Sequence, residues 1–136
     1  MAKTNIFIGR AGEFYAAFIL ERHGIRTTHV DLPHDDLWCH TPSGDLVRVQ
    51  VKACSKAIVH GVKSRPARYS FQFGPHRNIY DGVYILVALD KKLCLAFRRD
   101  DKIGRTLKIK PNMFTEYAQT QTIKEAFKEQ NINIKT

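Results

Sequence analysis

A chain of 136 residues with 43% hydrophobic and 26% charged content has the size and balance of one soluble globular domain, and no apolar run approaches the ~20 residues that a membrane span requires. Twenty-two Lys and Arg against thirteen Asp and Glu leave a formal charge of +9, which makes a polyanion the natural partner. Three cysteines, Cys39, Cys54 and Cys94, are an odd number without a close pair; they argue against a disulfide framework or zinc knuckle and read as small hydrophobes.

In chain order, the N-terminal segment has no apolar core followed by a small-residue cleavage site, so a cytoplasmic setting is expected. Residues Gly9–His23 lack proline, contain Ala11, Ala16, Ala17 and Leu20, and predict a helix that Gly24 terminates. Glu13 is expected in its first turns, on the face shared with Ala16, Ala17 and Leu20, where a carboxylate needs a partner. Ile25–Val30 reads as a strand, and Asp31-Leu32-Pro33-His34 as a turn. Asp36–His40 resumes an extended pattern, and Thr41–Asp45 forms a hairpin loop.

The segment Leu46–Lys52 alternates strictly. Val47, Val49 and Val51 belong on one face, and Arg48, Gln50 and Lys52 on the other. Residues 55–80 are irregular, mixing Gly61, Pro66, Gly74 and Pro75 with Tyr69, Phe71 and Phe73 in partial strand alternation. These aromatics, with Trp38, are assigned to the sheet core in preference to base stacking. Tyr84–Leu89 and Leu93–Phe97 form a buried hairpin, and Phe114–Glu129 a helix packing through Phe114, Tyr117, Ala118, Ile123, Ala126 and Phe127, after which Asn131–Thr136 frays. The order of helix, strands, basic insertion, hairpin and helix predicts an α/β or α+β sheet flanked by helices.

From Leu46 to Tyr80 no acidic residue occurs, while Arg48, Lys52, Lys56, Lys63, Arg65, Arg68 and Arg77 all do. With Arg10 on the first helix, the arginines and Lys56 and Lys63 are the candidate phosphate contacts. Hydrolysis of a phosphodiester needs charge neutralisation, an activated water and stabilisation of the leaving oxygen, so carboxylates must converge with a cation donor. Glu13 on the helix, Asp36 beside the next strand, and Gln50 and Lys52 on one strand face make such a set plausible. His34, His40, His60 and His76 have no spacing suited to a metal.

This pattern resembles the PD-(D/E)XK, or restriction-endonuclease-like, nuclease superfamily. Gly9-Arg10-Ala11-Gly12-Glu13 looks like its acidic first helix, His34-Asp35-Asp36-Leu37-Trp38 stands in the place of its PD segment, and Gln50-Val51-Lys52 resembles its (D/E)XK segment in a QXK form. Tyr80–Val87 resembles the core strand that commonly follows. Proline precedes His34 instead of the acid, so Asp35 is an alternative ligand to Asp36. Asp36 is preferred because it starts the strand-like segment, which leaves Asp35 as a turn residue.

The resemblance implies a restriction-endonuclease-like α/β fold with a central mixed sheet, spanning residues 1–136 as one domain with a basic DNA-binding insertion at about 55–80. It further implies a Mg²⁺-dependent endodeoxyribonuclease, with Mn²⁺ as a possible substitute. Asp36, Gln50 and Glu13 would hold the metal, and Lys52 would orient or deprotonate water or neutralise phosphate. The neutral Gln50 amide favours one metal over two. A site-specific homing-type endonuclease cutting double-stranded DNA as a homo-oligomer, dimer or tetramer, is the leading expectation. The alternatives are a Holliday-junction resolvase and a nuclease-fold DNA-binding protein that does not cut.

Overall fold

The computed structural model describes residues 2–59, 61, 65–75, 77, 79–98 and 104–128, with side chains from residue 5 onward. Lys63, His60, His76 and the segment from Glu129 to Thr136 lie outside the described residues.

Helix α1 spans Ala2–Arg22, seven residues longer at its start than the sequence pattern predicts. The consequence falls on Glu13: it sits mid-helix, and the first turn holds no acid, so the helix dipole is not what places it there. Gly24 follows the helix at φ 85°, the left-handed conformation expected of a terminating glycine. Strands β1 (Arg26–His29), β2 (Leu37–His40) and β3 (Leu46–Cys54) form an antiparallel meander. Strand β4 is Tyr69–Gln72, β5 is Val83–Ala88, β6 is Leu93–Arg98 and β7 is Thr106–Ile109; a 3-10 turn at Pro111–Met113 leads into α2, Glu116–Phe127.

The main sheet has the order β1-β2-β3-β5-β6, with β3 parallel to β5 and the other pairs antiparallel. The element order predicts a sheet flanked by helices, and the resemblance implies that it is a central mixed one; both describe this sheet. Period-two alternation explains its two faces. Val47, Val49, Val83, Ile85, Val87, Cys94 and Ala96 turn toward Ala16, Leu20, Ile123 and Phe127 of the two helices. Tyr84, Leu86, Ala88 and Leu95 turn the other way, onto Tyr69, Phe71, Phe73 and Phe114. Burial holds the Cys39 and Cys94 thiols up at about 12, so neither is a ready nucleophile.

That second face is covered by a β4–β7 ribbon, registered Tyr69↔Ile109 through Gln72↔Thr106. Strand β7 has no counterpart in the sequence reading. Tyr69, Phe71 and Phe73 are core residues as expected, whereas Trp38 is 36% exposed and Tyr117 76% exposed, so neither serves the core role assigned to it. Tyr117 falls on the solvent face because α2 starts at Glu116, with Thr115 capping through its hydroxyl to the Ala118 amide.

Gly12 decides how closely α1 approaches β3. A Cβ at this position would sit 2.5 Å from the Ala53 Cβ, too close for any side chain. Gly12→Val should therefore push α1 off the sheet, costing about 1–3 kcal/mol as an overpacked contact and displacing the adjacent Glu13. Thermal unfolding of the variant checks this, with a Tm equal to the wild type as the contrary result.

Candidate active site

The loop after β1 returns to the sheet beside β3. The Asp36 amide donates to the Val49 carbonyl at 2.8 Å, and the Val51 amide donates back to Asp36 Oδ2 at 2.7 Å. This reciprocal pair fixes the Asp36 carboxylate on the Val51 amide, at the stretch of β3 that carries Gln50 and Lys52; those two side chains leave the strand on the face away from the helices. The two line a cleft of about 210 Å³ with His34, Gly74, Pro75 and Arg77. Gln50 donates its Nε2 to the His34 carbonyl at 3.0 Å, which orients the amide and leaves Oε1 as the acceptor end. The Lys52 ammonium stands 5.9 Å from the centre of the Phe73 ring.

Glu13 arrives from the other side. It lines a separate groove of about 650 Å³ with Arg10, Phe14, His29 and Asp31, and it feels the charge of Asp36. Asp36 is thus the link, interacting with Glu13 on one side and Lys52 on the other. Burial, then the Asp36 charge, pushes the Glu13 carboxyl above its usual range. Burial raises Asp36 as well, more than the Val51 amide and Lys52 lower it. Burial draws the Lys52 ammonium down from 10.5 against the opposing pull of Asp36. All three groups are half-buried, and among the described residues Glu13 and Lys52 form no hydrogen bond or ion pair. Such incompletely satisfied ionisable groups are characteristic of functional sites.

Asp35 contrasts with its neighbour. It is 3% exposed and receives hydrogen bonds from Trp38 Nε1 at 2.8 Å, Arg48 Nε at 2.8 Å and the Tyr80 hydroxyl at 2.8 Å. Far from being a turn residue, it anchors the loop to β3. Burial alone would raise its pKa, but the bonds from Arg48, Trp38 and Tyr80 outweigh that and hold it below 3.8. A depressed folded-state pKa contributes stability above the unfolded value, lost as pH falls through the folded one. Asp35→Ala should cost about 3 kcal/mol at pH 7, since it leaves buried donors unpaired, and the deficit should shrink below about pH 4. Urea unfolding at both pH values measures it; equal losses at the two would contradict the role.

The expected phosphate contacts are distributed unevenly. Arg48 bridges Asp35 at 2.8 Å and Asp81 at 2.7 Å and stacks over Tyr80, so its guanidinium is engaged by acids lying outside the acid-free block of sequence. Arg77 reaches the cleft itself. Lys56 is exposed, Arg10 is exposed on α1 over the Phe14 ring, and Arg65 and Arg68 share a shallow depression with Lys108. Lys108 lies beyond the acid-free block that ends at Tyr80, and the alternation Thr106-Leu107-Lys108-Ile109 is the sequence signal that marks it as an outward-facing strand residue.

No protein-family model matches the chain, and no curated protein matches it by sequence. Among solved structures, it is similar to the bacterial homing endonuclease I-Ssp6803I, with a TM-score of 0.58 and 19% identity over 80% of each chain. The chain therefore has the fold of a homing endonuclease. Among the described residues, no helix is long and apolar enough to cross a membrane, and no three His, Cys, Asp or Glu side chains cluster to hold a metal.

Proposed function

We propose that this chain is a metal-dependent DNA endonuclease of the homing type, with Glu13, Asp36, Gln50 and Lys52 as its active site. The observation that carries this reading is the Asp36 carboxylate held by the Val51 amide of β3, the residue between Gln50 and Lys52 in that strand, and within electrostatic reach of Lys52 and Glu13. The net charge of +9 and the endonuclease fold agree with a DNA substrate.

The donor set fits a hard divalent cation. Two carboxylates whose ionisation burial opposes, one of them also raised by the other's charge, are relieved by a positive ion. The Gln50 Oε1 end adds a neutral oxygen. Glu13, Asp36 and Gln50 would hold Mg²⁺, which when bound supplies charge neutralisation at the scissile phosphate and acidifies water. Lys52, with its pKa drawn down by burial, is placed to orient water and accept its proton. Arg77 in the cleft wall would bind phosphate, and exposed Lys56 and Arg65 with half-buried Arg68 the flanking backbone.

Cutting both strands requires two sites, hence an oligomer. Phe7, Phe14 and Phe18 are 66%, 57% and 53% exposed on α1, and with Ala11 they follow the spacing of a helix-packing seam, which supports self-association. A non-cleaving DNA-binding protein is the second reading, favoured by the neutral Gln50 amide where a carboxylate is the stronger metal ligand.

Incubation of the full chain with a randomised linear DNA library and with a four-way junction, in Mg²⁺ and in EDTA, tests the proposal. Mg²⁺-dependent cleavage of linear duplex at a preferred site is expected. Preference for the junction would select a resolvase, and binding without cutting would select the second reading.

A further inference from the structure

We propose that the β4–β7 ribbon reads base sequence in the major groove of double-stranded DNA; this rests on the nuclease reading and extends it to a specificity element. The ribbon is two-sided. Tyr69, Phe71 and Phe73 are buried in the aromatic core, and Leu107 and Ile109 pack partly against it. The alternate residues Ser70, Gln72, Thr106 and Lys108 leave on the opposite face, directly paired as Ser70↔Lys108 and Gln72↔Thr106. Arg68 and Lys110 extend that face beyond the paired residues by the same alternation.

Its chemistry suits base edges. Gln72, Ser70 and Thr106 offer both donors and acceptors, and the Thr106 hydroxyl donates to Gln72 Oε1 at 2.9 Å, holding the amide across the ribbon. Glutamine is suited to bidentate contact with adenine, and lysine to the acceptors of guanine. The cations lie around these groups: Arg65, Arg68 and Lys108 line one depression of about 190 Å³. No Asp or Glu occurs in residues 65–75 or 104–115, so the ribbon carries no charge that would repel phosphate. A polyanion is the occupant this charge fits.

Geometry narrows the occupant to DNA. A two-stranded ribbon enters the major groove of B-form DNA, whereas the A-form groove of duplex RNA is too deep and narrow for side chains to read. Strands rise ~3.4 Å per residue, close to the spacing of stacked bases, so four paired residues cover roughly three to four base pairs. The ribbon also leads to the cleft. Phe73, which follows β4, lies against the Lys52 ammonium, and Gly74, Pro75 and Arg77 form the wall facing Gln50 and Lys52.

The test is selection of a randomised 30-base-pair duplex pool by the wild-type full chain, Gln72→Ala, Ser70→Ala and Lys108→Ala in EDTA. Sequencing of the retained DNA follows, with plasmid cleavage in Mg²⁺ measured separately. Gln72→Ala should lose preference at one or two adjacent base pairs by about tenfold or more while retaining nonspecific affinity. Purines lacking N7 at those positions should be depleted from the wild-type pool. Lys108→Ala should weaken binding and lower the salt slope by about one. An unchanged motif in both Gln72→Ala and Ser70→Ala, retention without any motif, or equal retention of duplex RNA would each overturn the proposal. Altered motifs in a protein that never cuts plasmid would instead overturn the nuclease reading and leave the ribbon's role standing.

Discussion

Asp36→Asn is expected to lower Mg²⁺-dependent cleavage by about a thousandfold or more while leaving DNA binding in EDTA intact. The asparagine carbonyl can still accept the Val51 amide, so the loop should keep its place on β3 and the fold its stability. What disappears is the negative charge linking the Glu13 side of the site to Lys52, and with it a carboxylate oxygen of the proposed metal-holding set. Loss of several kcal/mol of transition-state stabilisation corresponds to this fall in rate. Two further readouts accompany it. Calorimetric titration should show weakened Mg²⁺ binding, and Mg²⁺ affinity of the wild type should fall as pH drops. The folded-state pKa values of Glu13 and Asp36 lie above 4.5 and 3.8, so protons compete with the metal at higher pH than for ordinary carboxylates. Cleavage within threefold of wild type would remove Asp36 from the site.

The second large effect is at Lys52, where Lys52→Ala should reduce cleavage by about 10²–10⁴-fold, the range for removal of a positioned acid–base group. Lys52→Arg separates the possible roles. Arginine keeps the positive charge but does not give up its proton, so it would preserve phosphate neutralisation and abolish proton acceptance. For a proton acceptor, the wild-type rate should rise with pH and level off below the ordinary lysine value of 10.5, because burial lowers the Lys52 pKa; Lys52→Arg should be as inactive as Lys52→Ala. A substantially active Lys52→Arg with a flat profile would assign Lys52 to charge neutralisation alone. Full activity in Lys52→Ala would overturn the site.

Local patterning made some of this legible in the linear chain. The alternation of Val47, Val49 and Val51 against Arg48, Gln50 and Lys52 is reproduced in β3, with Val47 and Val49 buried under the helices. The continuous apolar runs of β5 and β6 are central strands, and all six residues of β5 are buried. Ala16, Ala17 and Leu20 are buried on the α1 face that Glu13 extends. Each signal operates over a few residues, where side-chain direction follows from backbone periodicity.

Contacts distant in sequence were not legible. The pairing of β4 with β7 joins residues separated by more than thirty positions, and no local pattern announces which strand completes a ribbon. Arg48 looked available for phosphate because the acids that engage it, Asp35 and Asp81, lie on either side of the acid-free block. Asp35 and Asp36 are adjacent and chemically identical, yet one carboxylate is enclosed by Trp38, Arg48 and Tyr80 while the other is held against the Val51 amide beside Lys52. Periodicity and charge were therefore enough to define the sheet's central strands and nominate four side chains. Their distances, the division between a structural and a candidate catalytic aspartate, and the ribbon beside the cleft arise only when packing brings remote segments together, because burial and charge interactions depend on proximity in space.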